Sequence, residues 1–334
     1  MQTRRRDFLK TLIAAGLAPS LPWPATLQAH AAAGTSGGRI PVILASDIGD
    51  DIDDTWALGF LLKSPELDLK LVVGEYGKPQ YRARLLAKFL QTVNHANVPI
   101  GIGMDSEPRG DGPQAEWIRD YKLESYPGKV HQDGVQAIID TILGSPVPIT
   151  VISIGPMPNV AAALAREPKI ANRARLVGMY GSVRRGYDSS SGISPEWNVK
   201  ADAKACQKGF KAPWEITITP LDTCGVISLD GDRYQRIRNS KDVVASTIVQ
   251  NYRMWSKANK QSGDPAETHS STLFDTVAVY LAFSQTLCKM ERLGIEVTDD
   301  GFTRINPSGK AVNVATEWTN LDGFRDLLVT RLTT

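Results

Sequence analysis

"IPVILASDIGDDIDDTWALGFLLKS", residues Ile40–Ser64, carries three patterns in succession. IPVILAS is a continuous apolar run, the mark of a strand buried on both faces. TWALGFLLKS has helical spacing, and Pro65 just beyond it stops a helix. Between them Asp47, Asp50, Asp51, Asp53 and Asp54 crowd into eight positions. Acidic residues at a helix start cap free amides and complement the dipole, which explains one or two carboxylates but not five. The others need solvent or a cation, and hard oxygen donors at this density suit calcium or magnesium. An EF-hand is excluded, because its alternating acidic positions and closing glutamate are missing.

The strand–helix alternation continues outward. LDLKLVVG (67–74), VPIGIG (98–103), PITVISIG (148–155), ARLVGMYG (174–181) and WEITITPLD (214–222) read as strands. YRARLLAKFLQTV (81–93), HQDGVQAIIDTIL (131–143) and NVAAALAREP (159–168) read as helices. This order predicts an α/β fold with an open, mainly parallel (mixed) sheet and helices on both faces. SVRRGYDSSSGISP (182–195) is a long polar loop after a strand, where such sheets bind ligands. It is a lid or a tolerated surface insertion. Val244, Ile248, Tyr252 and Trp255 share one helical face, as core or as a pocket wall.

The chain has 334 residues, 42% hydrophobic and 22% charged, room for one large α/β domain or two small ones. The expected organisation is a signal peptide over 1–31, a flexible linker over 32–39 and a single domain over 40–334. Arg4, Arg5 and Arg6 precede a short apolar run, and RRDFLK has the twin-arginine form. Export through the twin-arginine translocase to the periplasm or beyond is therefore expected, with cleavage near Ala31. The apolar run is too short for a stable membrane span. Cleavage removes Arg4, Arg5, Arg6, Lys10 and Asp7, turning a formal charge of +2 into −1. No basic block remains to bind nucleic acid. Cys206, Cys224 and Cys288 have neither zinc nor redox spacing, so buried free thiols are expected.

A haloacid dehalogenase-type phosphohydrolase would need a second aspartate where Gly49 stands. DIGDDIDDTWAL instead resembles the N-terminal signature of the inosine–uridine-preferring nucleoside hydrolase family, in the form D-I-G-x-D-x-D-D-x-x-A-L. Further matches follow in the family's order. PITVISIGPMPNVAAAL (148–164) resembles the G-P-L-T-N-x-A segment, and PEWNVKADAKA (195–205) resembles A-E-F-N-x-x-x-D-P-x-A. PLDTCGVISL resembles the L-D-x-T segment, LFDTVAVYLA (273–282) resembles H-D-P-L-A-V-A, and GIEVTDDGFTRI fits the closing hairpin.

The resemblance implies calcium-dependent cleavage of a ribosyl C–N bond by an activated water, with inversion. It implies one calcium ion held by Asp47, Asp54, Asp275 and the backbone carbonyl of Ile154. Asp47 is by the same token the catalytic base. Asp53, Glu196 and Asn198 would hold the ribose. The T-V-x-G-N turn appears as VVGEYGK, with Lys78 taken at the ribose-binding asparagine. Phe274 stands where purine-cleaving members often carry a histidine, and His269, nearby in sequence, is either its substitute or an exposed loop residue. Asp51 has no counterpart and is an added ligand, a supporting group or a solvated loop residue. The substrate is then a nucleoside or riboside, and relatives often form homo-oligomers. Two other readings stay open: a hydrolase of a phosphate-bearing riboside that meets Arg184 and Arg185, and a riboside-binding protein without turnover.

Overall fold

Successive residues of the first strand, β1 (Ile40–Ser46), face two different cores. Val42 and Leu44 join one apolar cluster, and Ile43 and Ala45 the other. A strand with side chains pointing alternately up and down needs both faces covered when every residue is apolar. The first core is packed by the helices Asp53–Leu62, Pro79–Thr92, Val243–Ala258, Thr276–Phe283 and Leu321–Thr333. Gly134–Gly144, Pro158–Arg166 and Ala203–Lys211 cover the other face. The expected helix–sheet–helix layering is therefore present. The computed structural model describes residues 38–105 and 110–334. The expected signal peptide and most of the expected linker lie outside the described residues.

The remaining strands are β2 (Leu67–Gly74), β3 (Ile100–Gly101), β4 (Val130–His131), β5 (Ile149–Ser153), β6 (Ala174–Met179) and β7 (Ile216–Thr219). After them come β8 (Cys288–Val297), β9 (Thr303–Ile305) and β10 (Lys310–Trp318). Their order is β4-β3-β2-β1-β5-β6-β7-β10-β8-β9. Pairing is parallel from β4 to β10, and β8 runs antiparallel to both β10 and β9. The chain builds outward from β1 through β4, then returns to β1's other side with β5. That reversal opens a crevice at the carboxyl ends of β1 and β5, the place where open α/β sheets bind ligands.

Two expected elements differ. VPIGIG supplies only two strand residues, and the helix expected from His131 begins at Gly134. Val130 and His131 instead pair with β3, and Asp133 caps the helix by accepting from Gln136 N at 2.9 Å. The three cysteines are buried free thiols, as their spacing suggested. No described helix is long and apolar enough to cross a membrane.

Candidate active site

The turn after β1 puts the acidic cluster at the reversal point. Gly49 adopts φ +101°, a conformation open to glycine at little cost, and a Cβ there would lie 2.4 Å from the Tyr81 ring. Tyr81 closes over the turn and donates to the Gly49 carbonyl at 3.0 Å. Beneath it lies Arg82, wholly buried on the helix that follows β2. It donates to the carbonyls of Asp47, Ile48, Tyr76 and Gly77 and to the Asp50 carboxylate. The sequence reading gave Arg82 no role. Its signal was a basic residue on the apolar face formed by Tyr81, Leu85, Leu86 and Phe89.

Helix capping does not account for the carboxylates at this turn. The residue before the first helical position is Ile52, and no side chain caps that end. Asp53 and Asp54 are instead buried within the first turn. Ser46 Oγ donates to Asp54 at 2.5 Å, and the Asp275 amide donates to Asp53 at 3.3 Å. Carboxylate oxygens of Asp53, Asp54 and Asp275 lie within 4.8 Å of one another. Asp47, at the end of β1, lines the same cavity but stands outside that group of three. So Asp53, which the resemblance turned toward sugar, is also within reach of the carboxylates assigned to metal.

The carboxylates of this arrangement could hold a metal ion. Burial, then neighbouring carboxylates, push Asp53, Asp54 and Asp275 well above the ordinary range. Burial drives Asp47 up to about 7, against the opposing field of Arg82. No described ion pair reaches any of the four; Arg82 is paired with Asp50 instead. Hard oxygen donors, converging and without a compensating base, fit a divalent ion.

These groups line a cavity of about 300 Å³, at the small end for a ligand site. Its floor is Asp47, Asp53, Asp54, Asp275 and Ile154. Glu196 and Asn198 line it as well. Glu196 accepts from the amides of Gly181, Asn198 and Val199 at 2.9, 2.7 and 3.3 Å, yet burial still raises it to about 7. Asn198 donates to the Met179 carbonyl at 3.0 Å. Four aromatic residues also line the cavity: Tyr187, Trp197, Trp255 and Phe274. Trp255 belongs to both categories offered for its stripe, being buried core and cavity wall at once.

Asp51 is exposed at the cavity edge, and its carboxylate accepts from Ile52 N at 2.7 Å. Two of the expected substrate contacts are not in the lining. Lys78 is paired with Asp50 at 2.5 Å, because the turn before its helix swings it toward that carboxylate. His269 is exposed, in the segment after a short helical turn at Pro265–Glu267. Arg184 is also committed, with both guanidinium nitrogens on Glu291 at 2.7 and 2.9 Å. Tyr187 and Trp197 were not singled out. Their signal was aromatic residues in and beside a polar loop at a strand's carboxyl end.

Residues 42–326 match the family model described as inosine-uridine preferring nucleoside hydrolase, and the chain belongs to that family. It is 32% identical over 210 residues to the non-specific ribonucleoside hydrolase RihC of Klebsiella pneumoniae subsp. pneumoniae. That match covers 58% of this chain and 65% of the relative, just under two thirds of its length. The pyrimidine-specific ribonucleoside hydrolase RihA of Salmonella arizonae is 26% identical over 315 residues, 88% of this chain and 98% of that one. A solved plant nucleoside hydrolase shares the fold, with a TM-score of 0.75 at 18% identity over 89% of this chain and 100% of that one.

Proposed function

We propose that this protein is a calcium-dependent N-ribohydrolase that cleaves a nucleoside into free base and ribose. The observation that carries the reading is the convergence of Asp47, Asp53, Asp54 and Asp275 beneath a cavity whose wall holds Glu196 and Asn198. Asp47, Asp54, Asp275 and the Ile154 carbonyl would hold the ion. When bound, calcium lowers the pKa of a water and orients it together with the sugar hydroxyls.

The chain's own groups supply the rest. Asp47 takes the proton from the attacking water, a contribution of about 10²–10⁴ in rate for a well-placed base. Asp53 accepts a hydrogen bond from a ribose hydroxyl and fixes the ring above the floor. Glu196 and Asn198 hold the opposite end of the sugar at its 5′-hydroxyl. Water attacks from the side of the carboxylates while the base leaves on the side away from it, so the anomeric centre inverts. Displacement by water needs no covalent sugar–enzyme intermediate.

Residues 40–334 act as the one catalytic domain, and RRDFLK directs the folded chain through the twin-arginine translocase to the periplasm. Supporting this is the sequence pattern of residues 1–31 alone. Incubating the purified protein with a panel of nucleosides and scoring base and ribose tests the activity. Release by the wild type and none by Asp47→Ala is expected. Tight riboside binding without release would make the protein a binder instead.

A further inference from the structure

The departing base needs a partner for the charge it gains, and the Phe274 side chain has no hydrogen to donate. The described cavity lining contains no histidine, lysine or arginine. Its carboxylates and carbonyl accept hydrogen bonds. Of the side-chain donors, Trp255 Nε1 gives its hydrogen to the Asp50 carbonyl at 3.0 Å. Asn198 and Asn259 each give an amide hydrogen to a main-chain carbonyl, Met179 and Trp255, at 3.0 and 3.1 Å.

Tyr187 differs. Its Oη accepts the main-chain N–H of Trp197 at 2.9 Å. That amide opens the short helix Trp197–Ala201 and has no partner within the helix. A hydroxyl used this way as an acceptor keeps its own hydrogen to give. No described residue takes it. The ring is held edge-on to Phe274, with centroids 6.3 Å apart.

The loop beneath it is built. Asp222 accepts from the amides of Val183, Arg184 and Arg185 at 2.9, 2.9 and 3.2 Å. Ser182 Oγ donates to the Arg185 carbonyl and accepts from Ser194 N, closing the loop's neck. Burial pushes the Tyr187 phenol further up, so it stays protonated at neutral pH.

We propose that Tyr187 is the catalytic residue that receives the leaving base, donating its Oη–H to a ring nitrogen or carbonyl oxygen of the heterocycle as the C–N bond breaks. This rests on the N-ribohydrolase reading above. The electron pair of the C1′–N bond goes to the base while the water oxygen bonds C1′ and its proton passes to Asp47. The base departs as an anion hydrogen-bonded to Tyr187 and takes a proton from solvent, and Asp47 returns its proton to solvent.

The test is Tyr187→Phe in the full, calcium-loaded protein, assayed on uridine, inosine and 4-nitrophenyl riboside. The last has a leaving group already stable as an anion. A charge-assisted hydrogen bond predicts a loss of about 10–100-fold in kcat on the nucleosides, with KM and the nitrophenyl reaction nearly unchanged. Tyr187→His, which restores a donor, should regain part of the loss, and thermal melting should show both variants folded. Equal losses on nucleosides and the nitrophenyl riboside, or no loss on either, would overturn the proposal. So would a loss that disappears with 5′-deoxynucleosides, since that puts the hydroxyl on the sugar. If the wild type itself releases nothing from any substrate, the N-ribohydrolase reading fails first, and this proposal goes with it.

Discussion

Arg82 and Asp50 form an ion pair at 2.8 Å in which the guanidinium is wholly buried and the carboxylate is part-exposed. The pair does not neutralise the acidic floor. It anchors the turn from which the floor projects, because the same guanidinium holds the Asp47 and Ile48 carbonyls. Removing Arg82 would orphan several buried carbonyls at once, and loss of one partner of a buried pair costs about 3–5 kcal/mol. Arg82→Ala should therefore lower the unfolding free energy by roughly that amount, measured by urea denaturation. Asp50→Asn, which leaves the carbonyl contacts intact, should cost clearly less. Equal losses would show that the ion pair, and not the turn, is what Arg82 supports.

Gly155 follows the Ile154 carbonyl and lies against Asp47. A Cβ at 155 would fall 2.6 Å from Asp47 Oδ1 and 2.9 Å from its amide nitrogen. Gly155→Ala should push the carboxylate off its position and reduce kcat by about 100-fold, the cost of a misplacement near 1 Å. The fold should survive with a small change in melting temperature. Undiminished kcat would contradict the role given to Asp47.

Stability should fall as pH rises in the calcium-free protein, and calcium should offset that fall. In the calcium-free protein, burial raises Asp47 from 3.8 to about 7 and Glu196 from 4.5 to about 7. Between those values the folded state binds more protons than the unfolded state, so stability falls as pH rises through the window. Asp53, Asp54 and Asp275, displaced the same way, extend the fall. Calcium binds the charged carboxylates, so the increase in melting temperature it gives should grow as pH rises. Thermal melts in EDTA and in calcium chloride across that window would show both trends. A melting temperature in EDTA that climbs with pH would refute the assignment of these groups as uncompensated.

Asp222 secures the loop that carries Tyr187. Asp222→Ala leaves three amides without their acceptor, a local loss of about 1–3 kcal/mol for each group left buried and unsatisfied. Trypsin should then cut after Arg184 or Arg185 faster than in the wild type, followed by mass spectrometry. Unchanged cleavage would mean that the Arg184–Glu291 pair and the Ser182 contacts fix the loop without Asp222.

Local pattern made much of this fold readable. IPVILAS and PITVISIG are apolar throughout, and a strand covered on both faces has no other composition available. The hairpin in GIEVTDDGFTRI is equally local: Val297 pairs with Thr303 and Ile295 with Ile305. By contrast, β10 enters between β7 and β8, and a pairing such as Asn313 with Thr217 leaves no mark in either segment. The cavity divides in the same way. Five aspartates in eight positions announce themselves by mutual repulsion. Lys78 and Asp50 are far apart in sequence, so their pairing needed the turn geometry, and Arg82 read as one more basic residue on a helix. Tyr187 carries its meaning only through Trp197 N–H and Phe274, contacts no spacing rule predicts.

In the proposed function the carboxylate floor works with calcium to release a base from ribose. The most direct measurement is base and ribose release by the EDTA-stripped protein as calcium is titrated back. No release is expected without the ion, with a saturating return of activity on adding it that is absent in Asp275→Asn. Full release from the stripped protein, or none from any nucleoside with calcium saturating, would contradict this function.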